Sequence, residues 1–374
     1  MDVKKQLFKA ALFKKEYNLT KLLVEKYHNG QDKIQVINVV GTNGKGSVSN
    51  YLQRQLMLNY KKVGLFTSPA FLKHNERIKI NNQVISDNDL KRIIKSIKNE
   101  IETYQLNFFE IWVLICIKYF LEQQVEIAVI EAGIGGRLDA TNVFNNQLAV
   151  LLTSFDYDHT EVLGTELESI IQNKVGIVKN DCQLFISASC QKYFSVIAKY
   201  LNSDRIITSE VYPQAINYYQ EFNVGLVIKF LTVFKFKINY ALFKVNPVLG
   251  RFTQLSKNPY FIIDGAHNPE GIRACIHTFE TLNNLNHNEV LVLYASSQKK
   301  DYLQNLTLLK EHFGTNLYIT AFKNPMSWDI TDINFHNKVK NWKKLLLQNK
   351  TKNILICGSL YFIPLVYQFY LERM

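Results

Sequence analysis

The sequence offers no paired cysteines and no Cys/His cluster. Its five cysteines stand at 116, 182, 190, 275 and 357, odd in number and with no CxxC spacing. That excludes a disulfide scaffold and a zinc site of familiar spacing, and a reducing cytoplasm is the expected compartment. No apolar run is long enough to cross a bilayer. The longest, Ile111 to Ile117, lies between Glu110 and Lys118 and reads as a buried helix. The N-terminal stretch MDVKKQLFKAALFKKEYNLTK lacks an uninterrupted apolar core and a small-residue cleavage site, and it carries Asp2 and Glu16. It reads as mature protein, so neither a membrane nor a secretory route is expected. Internal repeats and low-complexity segments are missing. So is any dense Lys/Arg block, although the net charge is +12. The charge therefore reads first as a Lys- and Asn-rich solvated surface. The other reading is a polyanionic partner: a nucleotide, a nucleic acid or an acidic metabolite.

What is present is ordinary globular material. With 374 residues, 47% hydrophobic and 20% charged, the chain is too apolar and too mixed for disorder, collagen or coiled coil, and long enough for two domains. Short β-branched runs alternate with helical stretches. Strands are expected at Ile34–Val40, Val63–Thr67, Ile127–Glu131, Ala149–Ser154, Leu184–Ser187 and Ile206–Thr208. Helices are expected near Ser47–Leu58, Asn88–Tyr104, Phe108–Glu122, Leu167–Val178 and Tyr193–Leu201. This order argues for an α/β protein with a mostly parallel sheet and helices on both faces. The pattern restarts after Phe243, with strands near Phe261–Ile263, Leu291–Tyr294, Leu317–Thr320 and Ile354–Cys357. The Pro- and Gly-bearing stretch Lys244 to Gly250 separates the blocks, which gives domains 1–244 and 245–374.

Several strand ends carry chemistry. The first strand runs into Gly41-Thr-Asn-Gly-Lys-Gly-Ser47 and then a helix. Backbone N–H groups in such a Gly-rich turn, closed by a helix N-terminus, hold a phosphate, and Lys45 and Ser47 are placed to reach the outer phosphates or their metal. A strict Walker A pattern fails, because Val39 occupies its first Gly position and Gly46 separates Lys45 from Ser47. A second cluster, Glu131-Ala-Gly-Ile-Gly-Gly-Arg-Leu-Asp-Ala-Thr-Asn142, is not a dinucleotide fingerprint, since Leu138 stands where the third Gly is needed. Glu131, at the end of a buried strand beside a phosphate loop, is a candidate Mg²⁺ ligand; the plain alternative is a capped or paired Glu. Asp158 and His159 follow another strand. Lys174 alone reads as a surface lysine. In the second block Arg251 is a ready phosphate partner, Asp264 and His267 sit at a strand end, and Ser359 either caps a helix or touches a ligand.

Together these motifs resemble the folylpolyglutamate synthase/dihydrofolate synthase family of the Mur ligase superfamily. The resemblance is carried by VVGTNGKGS (39–47), FTSP (66–69), NERIKIN (75–81), FFE (108–110), EAGIGGRLDATN (131–142), DHTEVLG (158–164), NKVGIVK (173–179), GRF (250–252), DGAHNP (264–269) and CGSLY (357–361), in the family's order along nearly the whole chain. It implies an N-terminal P-loop-type ATPase domain and a smaller Rossmann-like C-terminal α/β domain, with ATP and acceptor in the cleft between them. By motif, Thr42, Asn43, Gly44, Lys45, Gly46 and Ser47 would cradle the triphosphate. Asn223 would lie on the adenine side, and Arg251 and Asp264 would reach ATP from the second domain. Ser68 and Glu131 would hold one Mg²⁺, and Glu131 and His159 a second. Lys174 matches a lysine that the family carbamylates. His267 and Ser359 match positions around the incoming glutamate, and Phe108, Phe109, Glu110, Leu138, Asp139 and Ala140 match pterin-side contacts.

The resemblance implies an ATP-dependent ligase, cytoplasmic and expected to be a monomer. It would take ATP, two Mg²⁺ ions, a folate or folylpolyglutamate and L-glutamate, with a monovalent cation left open. It would phosphorylate the acceptor carboxylate to an acyl phosphate that the glutamate amine then attacks. Lys45, Lys174, Asp264 and His267 are the expected catalytic residues. Departures from the family pattern are a short interval between Thr208 and Tyr219, Ala70 after Thr67-Ser-Pro, and Ser297-Gln-Lys-Lys-Asp301 in the second block. Rival readings are dihydrofolate synthesis, a Mur-type ligase for another acid, a nucleotide-binding relative without catalysis, and a nucleic-acid binder supported by charge alone.

Overall fold

The computed structural model describes residues 18–157, 163–164, 166–179, 181–282, 289–298 and 302–374. Asp158, His159 and Lys299 to Asp301 lie outside them. The chain forms two compact units: one runs to Ile216 and resumes over Gln220–Val245, and the other comprises Asn217–Tyr219 and Asn246–Met374.

In the first unit the elements are α1 (Leu19–Tyr27), β1 (Gln35–Val40), α2 (Lys45–Leu56), β2 (Val63–Phe66), β3 (Ile78–Ile80), β4 (Gln83–Val84), α3 (Asp87–Ser96), α4 (Lys98–Thr103), α5 (Phe108–Glu122), β5 (Ile127–Glu131), β6 (Gln147–Leu152), α6 (Leu167–Val175), β7 (Gln183–Ile186), α7 (Phe194–Ile197), β8 (Ile206–Thr208) and α8 (Tyr218–Val233), which belongs to this unit from Gln220 onward. The sheet runs β4-β3-β2-β5-β1-β6-β7-β8. From β2 to β8 every neighbour is parallel; β3 and β4 form an antiparallel hairpin on β2. The central strands read as unbroken apolar runs because both of their faces are covered. In β5, Ile127 and Val129 pack with α2 and α8, while Ala128 and Ile130 pack with α5 on the other face. The parallel order puts the ends of β1, β2, β5 and β6 along one edge, where ligands gather in open α/β sheets.

The second unit contains β9 (Thr253–Lys257), β10 (Tyr260–Asp264), α9 (Pro269–Glu280), β11 (Val290–Ala295), α10 (Tyr302–Phe313), β12 (Leu317–Thr320), β13 (Lys338–Val339), α11 (Trp342–Gln348), β14 (Asn353–Gly358) and α12 (Ile363–Arg373). Its sheet runs β13-β12-β11-β14-β10-β9, parallel except for the β9–β10 pair. The fold is thus two mostly parallel α/β sheets. Among the described residues no helix is long and apolar enough to cross a membrane.

Three expectations about elements need correction. The helix expected over Asn88–Tyr104 is two helices, because Ile97 leaves helical geometry at φ −107°, ψ 11°. The helix expected over Tyr193–Leu201 is a 3₁₀ turn, Ala188–Tyr193, and the single turn α7. The strands β3, β4, β9 and β13 went unseen; β4 and β13 have two residues each, too few to show a period.

Candidate active site

The Gly-rich turn after β1 is held from below. Asn43 N–H donates to Ser154 Oγ at 2.9 Å, Thr153 Oγ1 donates to the Asn43 carbonyl, and Thr42 N–H donates to the Ser154 carbonyl. Thr42 Oγ1 donates to the Asp156 carbonyl and accepts from Asp156 N–H. The turn is therefore fixed by the end of the neighbouring strand β6. Gly44 caps α2 in the left-handed region, at φ 88°, where a side chain is strained. A Cβ there would also lie 2.3 Å from Asn223 Oδ1. Asn223, expected beside adenine, thus packs against the turn itself, and its Nδ2 donates to Gln220 Oε1. Gln220 in turn donates to the buried Ser47 hydroxyl at 3.1 Å. Lys45 Nζ lies over the turn and donates to the Gly41 and Thr42 carbonyls at 3.0 and 3.1 Å.

Glu131 closes this arrangement. It ends β5, next to β1, and is 3% exposed. Both of its oxygens lie 3.7 Å from where a Cβ on Gly46 would stand, so the carboxylate faces the first turn of α2. Its Oε2 accepts from Ser68 N–H at 3.1 Å. The Ser68 hydroxyl accepts from Arg77 Nη1 at 2.9 Å. Arg77 is nearly buried, with its guanidinium 5.6 Å from the Phe108 ring centre and 5.8 Å from that of Trp112. His74 stacks on Trp112 and accepts weakly from Arg77. The family motif holds Arg77, yet sequence reasoning gave it no role, because only packing brings it to Ser68.

The donor set bears on magnesium. Mg²⁺ prefers oxygen ligands, keeps several waters, and is commonly held by one or two carboxylates plus substrate phosphates. Glu131 beside a phosphate-binding turn, with the Ser68 hydroxyl nearby, fits that chemistry. Among the described residues no group of three or more His, Cys, Asp or Glu is placed to hold a metal ion.

The second Gly cluster is a support. Gly136 N–H donates to Asn173 Oδ1 and Arg137 N–H to the Asn173 carbonyl. The next residue, Lys174, is 2% exposed in the last turn of α6, which corrects the surface reading. Asp139 is buried and accepts from Ile134 N–H and from both Thr141 donors. Desolvation pushes its pKa up, against those hydrogen bonds. Leu138 is 44% exposed and Ala140 buried. Glu110 is fully buried, with one oxygen accepting from Leu19 N–H at 2.7 Å and the other from Asn107 N–H at 2.9 Å. That uses the carboxylate in holding α5, so Glu110 positions the nearly buried rings of Phe108 and Phe109.

In the second unit Asp264 ends β10. It is buried and accepts from Ala266 N–H, Phe252 N–H and, at 3.4 Å, Tyr219 OH. Desolvation, opposed by Arg251, pushes its pKa up to about 6. Arg251 lies across Gly265, where a Cβ would meet Nη1 at 2.9 Å. His267 Nδ1 is 2.7 Å from the Gly265 carbonyl; a carbonyl only accepts, so that nitrogen carries the proton. Ser359 follows β14. Its N–H donates to the Ala295 carbonyl at 2.7 Å, and its hydroxyl accepts from Tyr361 N–H. It therefore shapes the turn before α12, whose N-cap is Phe362.

A Gly-rich turn at the edge of a parallel sheet, with the Glu131 carboxylate facing the helix that follows it, has the features of a phosphate-binding site in an α/β protein. No family model matches the chain. The folylpolyglutamate synthase of Lacticaseibacillus casei is 28% identical over 338 residues, with 78% of each chain covered. The dihydrofolate synthase/folylpolyglutamate synthase of Bacillus subtilis is 26% identical over 400 aligned residues, with 92% of each covered. A solved structure of the bifunctional enzyme of Yersinia pestis, complexed with AMPPNP and a manganese ion, matches at TM-score 0.84 and 20% identity, over 99% of this chain and 97% of that one. The curated and structural neighbours consistently name one family, the folylpolyglutamate/dihydrofolate synthases, of Mur ligase type, and the chain is similar to it.

Proposed function

We propose that this protein is an ATP-dependent ligase that adds L-glutamate to the carboxylate of a folate, with 1–244 as the ATP-binding domain and 245–374 as the glutamate-side domain. The observation that carries the reading is the Glu131 carboxylate facing the start of α2 at the phosphate-binding turn. Relatives named as folylpolyglutamate and dihydrofolate synthases support it.

Direct amide formation from a carboxylate in water is uphill. Attack of the acceptor carboxylate on the γ-phosphorus, with ADP leaving, gives an acyl phosphate with a good leaving group. The glutamate amine then attacks the acyl carbon, loses a proton and expels phosphate. The protein's part is positioning and charge. The N–H groups of 42–47 hold the triphosphate, and Lys45 and Arg251 offset its charge. Glu131 and Ser68 would hold the first Mg²⁺, with Glu131, His159 and a carbamylated Lys174 around the second. Bound there, magnesium would supply Lewis-acid stabilisation of the transferring phosphoryl. Carbamylation of Lys174 by CO₂ turns a cation into a carboxylate-like ligand, which makes sense of a lysine buried behind the second Gly cluster. His267 and Ser359 would bound the glutamate, and Phe108, Phe109 and Leu138 the pterin. A cytoplasmic location is supported by five buried free cysteines.

The test is phosphate release in ATP, Mg²⁺ and glutamate with tetrahydrofolate in one arm and dihydropteroate in the other. Release with tetrahydrofolate is expected. Release with neither acceptor would contradict the proposal.

A further inference from the structure

The charge of +12 read from sequence as a dispersed surface, but the second unit concentrates part of it beside Ser359. From Ile333 to Leu371 the chain has no Asp or Glu. Lys340, Lys343 and Lys344 lie within that interval, and Lys323 shortly before it; all four are exposed. None of the four has a carboxylate partner among the described residues.

Their position is built. The rings of Phe322, beyond the end of β12, and Trp342, at the start of α11, both pack on Phe362, with centroids 5.4 Å apart in each pair. Phe362 lies three residues after Ser359, and its N–H donates to the Ser359 carbonyl at 2.8 Å. Lys323 and Lys343 are the next residues in chain after Phe322 and Trp342, and Lys343 Nζ lies 5.5 Å over the Trp342 ring. Strand register sets the level. Gly358 pairs with Ala295, Tyr294 with Ile319, and Thr320 with Val339. Ser359 and Lys340 are therefore each one residue past the same edge of the sheet. Three strand spacings separate them, about 14 Å.

We propose that this lysine rim binds the polyanionic glutamyl chain of the ligase's acceptor or product. The proposal rests on the ligase reading above. Each turnover consumes one carboxylate and brings two, so the chain gains one negative charge per residue. An extended residue covers at most about 3.6 Å, so about four glutamates span the distance from Ser359 to Lys340. The rim therefore acts on long chains and leaves a single glutamate untouched.

The experiment compares acceptors with one and four glutamates in the full-length protein, the Lys340→Gln/Lys343→Gln/Lys344→Gln triple variant, and the Lys→Arg triple. We expect the Gln triple to raise KM for the four-glutamate acceptor roughly tenfold, with kcat and the one-glutamate KM unchanged and the Arg triple restored. Equal KM changes for both acceptors, or none, overturn the proposal. In parallel, calorimetry titrates the protein with a free four-residue glutamyl peptide, a single-stranded RNA oligomer and phosphatidylserine vesicles. Peptide binding lost in the Gln triple supports the rim even if neither acceptor is turned over, which would sink only the ligase reading. Binding of RNA or vesicles without peptide overturns it.

Discussion

Single side chains carry the sharpest consequences. Lys174 is almost fully buried, and a carbamate on it would supply negative charge where an alanine supplies none. Lys174→Ala should lower kcat at least about a hundredfold while the affinity for a non-hydrolysable ATP analogue stays within about twofold. Turnover near that of the unsubstituted protein would remove the lysine from the metal shell. Asp264 gives a pH-dependent prediction. Its folded pKa is raised to about 6 by burial, above the ordinary carboxylate value, so the folded state holds the proton more tightly than the unfolded one. Its stabilising contribution is complete below about pH 4 and is lost as pH rises through about 6, a change of order 3 kcal/mol. A carboxyl ¹³C resonance of Asp264 titrating near 6 would show this, and one titrating near 4 would refute it.

At the scale of elements, α5 is the clearest case. Asn107 accepts from the Phe109 and Glu110 N–H groups while Glu110 accepts from Asn107 N–H, a reciprocal cap. The same Glu110 reaches across to Leu19 N–H at the start of α1. Glu110→Ala leaves two backbone donors without their carboxylate and should cost about 1–3 kcal/mol, read as a lower denaturation midpoint with an unchanged slope. A midpoint within error of the parent would show that the cap is dispensable. This helix was legible from sequence at its full length, Phe108 to Glu122, since its apolar run and polar ends are local. The role of Glu110 was not: a carboxylate in FFE looks the same whether it faces a ligand or a distant N–H. The break at Ile97 and the two-residue strands β4 and β13 were equally hidden, because neighbouring elements, not local composition, set them.

At the scale of the whole molecule, nucleotide binding should be visible as stability. A ligand that binds only the folded state at a hundred times its Kd adds about 2.7 kcal/mol. A non-hydrolysable ATP analogue with Mg²⁺ should therefore raise Tm by several degrees, and Glu131→Gln should remove most of the magnesium-dependent part while keeping the metal-free part. A magnesium increment that survives this substitution would place the ion elsewhere.

The sequence by itself determined the alternation of strands and helices, the Gly-rich turn after β1 and the acid at the end of β5, because these depend on short-range pattern and backbone freedom. Only the tertiary structure decided that Lys174 is buried, that Glu110 serves a helix end, that Arg77 meets Ser68, and that Phe322 and Trp342, each followed by an exposed lysine, pack on the same Phe362 ring. Those facts follow from which strands lie side by side, and strand order is set by the burial of both sheet faces over long stretches of chain, which no local pattern encodes.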